Sequence, residues 1–176
     1  MFIFEKNNKM KITFISDTHT KHNQVTSQLP GGDLLVHGGD FSSRGYEHEI
    51  DGFFDWFNGL NNYTNKIVIA GNHDLMFEDD PMLAKDIISY YPNVTYLQDN
   101  IEVIGEDYSS SVKVYGSPWQ PEFYNWAFNL PRNGEELKEK WDEIPHNMDI
   151  VVTHGPAWGH LDTVVGQSMN LGCELL

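Results

Sequence analysis

Apolar residues in this chain fall into short runs bounded by polar or glycine-rich punctuation. Four runs are nearly continuous: KITFIS (Lys11 to Ser16), DLLVHG (Asp33 to Gly38), KIVIAG (Lys66 to Gly71) and DIVVTHG (Asp149 to Gly155). Runs this short and this rich in β-branched residues predict strands buried on both faces. Val112 to Tyr115 predicts a further short strand, paired with Glu102 to Ile104. Between the second and third strands, YEHEIDGFFDWFNGL sets Ile50, Phe53, Phe54 and Phe57 at i, i+3, i+4 and i+7. That is the stripe of a helix laid on a sheet, so its aromatics belong to a core and not to a cofactor site. Pro81 to Tyr91 predicts a second helix, opened by proline in its first turn, and Gly134 to Asp142 a third. Strands alternating with helices predict an α/β fold. The 176 residues fit one domain, with no repeat, linker or internal boundary.

The four strongest strands end in short polar segments: SDTH, HGGD, GNHD and THGP. Ligands in open α/β sheets sit at the carboxyl ends of strands, so these four ends describe one site. Each piece has an ordinary explanation by itself. A D-x-H triplet is a common loop, Gly39-Asp40 and Gly71-Asn72 are common turns, and a lone His154 is usually packing. Together, Asp17, His19, Asp40, Asn72, His73 and His154 form a set of oxygen and nitrogen donors at successive strand ends. Such a mixed set suits Mn²⁺, Fe or Zn²⁺ and does not suit Ca²⁺, which prefers oxygen alone.

Charge and composition narrow the chemistry. The net charge is −15, from 26 acidic against 11 basic residues, and no basic stripe is present. Long nucleic acid is therefore excluded as a partner, whereas a small phosphate ester can bind if metal ions supply local positive charge. Forty per cent hydrophobic residues supply a real core. The single cysteine, Cys173, excludes an internal disulfide and a cysteine-based zinc knuckle. The N-terminal MFIFEKNNKMK is too short in apolar residues for a signal peptide, and no run approaches the roughly 18 residues that span a bilayer. These features predict a soluble, cytoplasmic protein with no membrane partner.

D-x-H, then G-D, then G-N-H-D, then a later strand-end histidine, in that order, resembles the calcineurin-like metallophosphoesterase superfamily. YGSPWQPEFYNWAFNLPR (residues 115–132) and THGPAWGHLD (residues 153–162) are similar to its class III phosphodiesterase-like subgroup of metallophosphoesterase-domain proteins. The resemblance implies a β-sandwich flanked by helices in four layers, α/β/β/α. It implies two divalent transition metal ions, Mn²⁺ first, with Fe, Zn²⁺ or Ni²⁺ as alternatives. Asp17 and His19 would hold one ion, Asn72 and His154 the other, and Asp40 would bridge them. His73 would stand over the substrate phosphate without binding metal, and Asp74 would orient it. The implied activity is hydrolysis of small phosphodiesters of the cyclic-nucleotide type, by a hydroxide shared between the metals. The alternatives are a phosphomonoesterase or protein phosphatase, or a catalytically impaired metal-binding domain.

The family's last motif, G-H-x-H after a further strand, is absent, and the chain ends GCELL. This predicts a domain truncated relative to the family, with each metal shell short of one histidine. It also predicts an open sheet edge and a homo-oligomer. His22 and His160 are candidate substrate contacts. His37 is read as packing behind the metals, Trp119, Trp126 and Phe128 as the pocket wall, Arg132 as a helix-entry residue, and Cys173 as buried and inert.

Overall fold

The computed structural model describes residues 2–5, 10–105, 111–166 and 169–176. A five-stranded sheet runs in the order β1 (Phe2–Glu5), β2 (Lys11–Ile15), β3 (Gly32–His37), β4 (Tyr63–Val68) and β5 (Thr95–Tyr96). β2 to β5 are parallel, and β1 lies antiparallel on β2. Parallel neighbours cannot be joined by a tight hairpin, so each pair needs a crossover. The crossovers are two turns of 3₁₀ helix (His22–Gln24 and Thr26–Gln28), α1 (Glu47–Asn58), and the pair α2 (Met76–Asp79) and α3 (Pro81–Ser89).

A second sheet runs in the order β10 (Ile150–Thr153), β7 (Val112–Ser117) and β6 (Asn100–Ile104). The pairing of β10 with β7 is parallel and that of β6 with β7 antiparallel. A two-residue ribbon, β8 (Gln120–Pro121) with β9 (Asn129–Leu130), follows, and α4 (Glu135–Asp142) leads into β10.

Two cores flank the larger sheet, which is why its strands read as continuous apolar runs. Leu35, Val68 and Ala70 meet Ile50, Phe53, Phe54 and Phe57 of α1 and Ala84 and Ile87 of α3. On the opposite face, Ile12, Leu34, Val36, Ile67 and Ile69 meet Ile104, Val112, Val114 and Val152 of the smaller sheet. Gly116 sits at this interface, where a methyl would lie 2.7 Å from Ile69 Cγ2 and collide with Leu97. α1 starts where Glu49 reaches back to accept the Tyr46 amide, and α3 where Asp80 accepts the Leu83 amide ahead of Pro81. α4 packs Leu137 and Trp141 against Cys173, which is buried as expected. Among the described residues no helix is long and apolar enough to cross a membrane.

Six strands (β2, β3, β4, β6, β7 and β10) and all three helices overlap the segments the apolar pattern predicts, and β6 pairs with β7 as expected. β1 was not predicted; it occupies the N-terminal run, of which residues 1 and 6–9 lie outside the described residues. The four-residue α2 is too short to show a period.

Candidate metal centre

The polar segments after β2, β3, β4 and β10 converge. Among the described residues, two groups of side chains present ligand atoms within 4.8 Å of one another: His19, Asp40 and His73, and Asp17, Asp40 and His154. Asp40 is common to both and is buried. One of its oxygens lies 3.6 Å from His19 Nε2 and the other 3.4 Å from His154 Nε2. Asn72 joins the second group, its Oδ1 lying 3.1 Å from His154 Nε2.

The three imidazoles are oriented alike. His19 Nδ1 faces the Ser42 carbonyl at 3.1 Å, His73 Nδ1 the Ser43 carbonyl at 2.9 Å, and His154 Nδ1 the Gly38 carbonyl at 2.8 Å. A carbonyl only accepts, so Nδ1 carries a proton in each ring, and in the neutral imidazole Nε2 keeps its lone pair. At His154 that lone pair, the Asn72 amide oxygen and an Asp40 oxygen then meet with no proton among them. Three acceptors facing one point repel one another unless a cation lies there. Backbone carbonyls that fix the tautomer of a ligating histidine are the usual support of a metal site. The donor set therefore fits divalent metal binding, and Asp40 is common to both groups.

The backbone is strained where these donors stand. Asp17 (φ 53°), His19 (φ 39°) and Asp40 (φ 56°) all take left-handed conformations that side chains seldom adopt. Gly71 is required for closeness: a methyl there would collide with the Asp40 carboxylate and lie 2.7 Å from His154 Cε1.

Asp74 is placed differently from expectation. It does not touch the His73 ring, whose Nδ1 partner is Ser43. Its carboxylate accepts the Asp40, Gly71 and Ser42 amides and the Ser42 hydroxyl, at 2.6–2.9 Å. It thus ties the loop after β3 to the loop after β4 and fixes the backbone of Asp40. Burial pushes the Asp74 carboxyl up to about 7, against the pull of the Ser42 hydroxyl and the Gly71 and Ser42 amides. Four donors turned on one group call for the ionised form.

His37 lies behind the site, buried on Phe53. Its Nδ1 accepts the Gly39 amide, so its Nε2–H donates to the Thr18 hydroxyl at 3.0 Å. Burial, with help from the charges of the neighbouring histidines, pushes it down to about 3, so the ring is neutral.

His22, expected as a substrate contact, belongs to neither ligand group. The 3₁₀ turn carries it under α1, where it is buried against Trp56 and Phe53. Burial lowers its pKa. His160 is exposed on the C-terminal segment and belongs to neither ligand group. The grouping also places Asp17 with His154 where the resemblance paired it with His19, and it adds His73 to the His19 group. Arg132 donates to the Gly172 and Leu171 carbonyls and ties down the C-terminal segment. Trp126 stacks on His73 with centroids 3.9 Å apart, a wall contact closer than the sequence implies. Ser42 and the carbonyls of Gly38 and Ser43 escaped sequence reasoning, since a backbone acceptor has no signature.

Residues 10–172 match the family model for calcineurin-like phosphoesterases. Human and mouse metallophosphoesterase domain-containing protein 1 are each 43% identical over 178 residues, covering 92% of this chain and 53% of theirs. The Caenorhabditis elegans UPF0046 protein T07D4.2 is 35% identical, covering 97% of this chain and 48% of its own. The chain thus spans about half the length of these curated relatives. In fold it is similar to a crystal structure of TT1561 from Thermus thermophilus, with TM-score 0.59 at 12% identity over 93% of this chain and 73% of that one. An ordered set of strand-end donors, the sandwich that gathers them and a match over most of the length agree: the chain belongs to the calcineurin-like phosphoesterase family.

Proposed function

We propose that this chain hydrolyses small phosphodiesters of the cyclic-nucleotide type at a dinuclear centre held by Asp17, His19, Asp40, Asn72 and His154. The observation that carries this reading is Asp40, whose two oxygens face two imidazole nitrogens with free lone pairs, at 3.6 and 3.4 Å. Bound divalent ions, Mn²⁺ first with Fe, Zn²⁺ or Ni²⁺ as alternatives, supply Lewis acidity to the phosphoryl oxygens and acidify a water. The chain's part is to hold the donors without neutralising the ions. Asn72 and the neutral imidazoles add no negative charge, so an anionic ester is drawn to the centre. His73 is fixed by Ser43 and Trp126, leaving Nε2 as its free nitrogen. Protonated at Nε2 as well, the imidazolium form donates that Nε2 proton to the departing alkoxide and returns to the neutral ring. The acidic surface argues against long nucleic acid, and the lone buried Cys173 suits a reducing cytoplasm.

A second reading, a metal-binding domain with little turnover, is favoured by the ligand count. Among the described residues each group presents three histidine or aspartate side chains, plus Asn72 in the second. The test is calorimetric titration of chelator-stripped protein with Mn²⁺, with turnover of an aryl phosphodiester and an aryl phosphomonoester. The expected result is about two ions per chain, diester turnover above monoester turnover, and loss of both uptake and turnover in Asp40→Asn. Uptake without turnover supports the second reading. Equal uptake by wild type and Asp40→Asn removes the first.

A further inference from the structure

The loop joining β8 to β9 projects beside the metal centre and is built to be rigid. Asn129 accepts the Phe123 amide through Oδ1 and donates Nδ2 to the Phe123 and Tyr124 carbonyls. The Ala127 amide donates to the carbonyl of Asn72, so the loop is tied directly to a ligand-bearing residue. The Phe128 amide donates to Glu78, and Phe128 itself is buried edge-on against Trp119. Tyr124 (φ 52°) and Phe128 (φ 57°) hold left-handed backbone, which fixes the direction of the tip.

This anchored loop displays aromatic rings that neither large core uses. Phe123 is 55% and Tyr124 82% exposed, and their rings meet edge to face at 4.5 Å. Trp126 stacks on His73, and the guanidinium of Arg44 lies 5.5 Å from the indole centroid. Trp126 thus meets both His73 and Arg44, and the exposed Phe123 and Tyr124 lie just before it on the same loop. Large exposed rings on a fixed loop give contact area at little entropic cost, and both aromatic and guanidinium planes stack on flat partners.

We infer that this loop is the leaving-group subsite and that Trp126, Tyr124 and Arg44 select an ester whose departing group is a planar aromatic ring system, such as a nucleoside base or an aryl ring. The inference rests on the phosphodiester reading: metals hold the phosphate, His73 protonates the departing oxygen, and the ring beyond that oxygen lies along the loop. Trp126 has a second effect as a positioning residue, because its indole fixes the plane of the His73 imidazole.

The test compares the affinities of phenyl phosphate and methyl phosphate for the Mn²⁺-loaded protein by calorimetry. The two ligands share the phosphate and differ in the ring. Wild type should bind phenyl phosphate about fivefold or more tightly, as expected for one stacked ring. The ratio should fall to about one in Trp126→Ala and decrease in Tyr124→Ala, while Trp126→Phe keeps most of it. Tyr124 is too exposed for its loss to unfold the chain, so that variant stands even if Trp126→Ala distorts the site. A wild-type ratio near one, or a ratio unchanged in both alanine variants, overturns the subsite while the phosphate reading stands. Failure of wild type to bind either ligand removes the phosphate reading and the subsite with it.

Discussion

His73 is held in two ways at once: Ser43 fixes its tautomer and Trp126 fixes its plane. Such double fixing suits a group that must present a proton at one atom. His73→Ala should therefore retain metal within about twofold and lose about 10²–10⁴-fold in turnover of a diester with a poor leaving group. Metal analysis beside kcat gives the answer. If metal content falls in step with turnover, His73 is a ligand in the His19 and Asp40 group, and the leaving-group role fails. The donor residues were legible in the sequence because carboxylate, imidazole and amide are chemically distinct and each follows a strand. Their supports were not. The carbonyls of Gly38, Ser42 and Ser43 belong to residues whose side chains say nothing about them. Asp74 misled for the opposite reason: its carboxylate suggested an imidazole partner, and the structure spends it on backbone amides.

At the level of elements, the ends of β2 and β3 are joined by His37, which accepts from Gly39 and donates to Thr18. This joint is sensitive to pH in a calculable direction. Its pKa is about 3 when folded, against an ordinary 6.5. The stabilisation is thus complete above the unfolded value and is lost as pH falls toward the folded one. Between those limits the slope is about 1.4 kcal/mol per pH unit from this residue. His37→Gln removes that titration, so the stability advantage of wild type over the variant, from urea unfolding, should shrink by about 2 kcal/mol between pH 7 and pH 5. An advantage independent of pH would show that His37 is charged in the fold. The element pattern was legible where burial on both faces makes a run continuously apolar, as in β2 and β3; β4 begins three residues before the predicted run because its opening residues, Tyr63 to Lys66, are mostly polar. It was not legible in β8 and β9, two residues each, whose pairing is set by the loop between them.

For the whole molecule, the smaller sheet is the exposed part. Among the described residues β10 pairs only with β7. A groove of about 560 Å³ runs along β10 toward His154, lined by Phe14, Val25, Leu29 and Val152. Val151 is exposed on the strand, and Trp158, Leu161 and Val165 are exposed on the segment beyond. An open edge beside apolar surface invites strand pairing between copies. Sedimentation across micromolar concentrations should show reversible self-association, and Val151→Lys should shift it toward monomer. A wild-type monomer over the whole range would mean that the edge is protected. The sandwich also has a thermodynamic consequence. His154 stands just beyond β10 of the smaller sheet, yet its ring is bound to Gly38 beyond β3 of the larger, 116 residues away in the chain. An ion bound by both Asp40 and His154 would therefore exist only in chains whose two sheets have docked. Metal occupancy would then report completed folding, and each tenfold rise in free ion above its dissociation constant would add about 1.4 kcal/mol against separating the sheets.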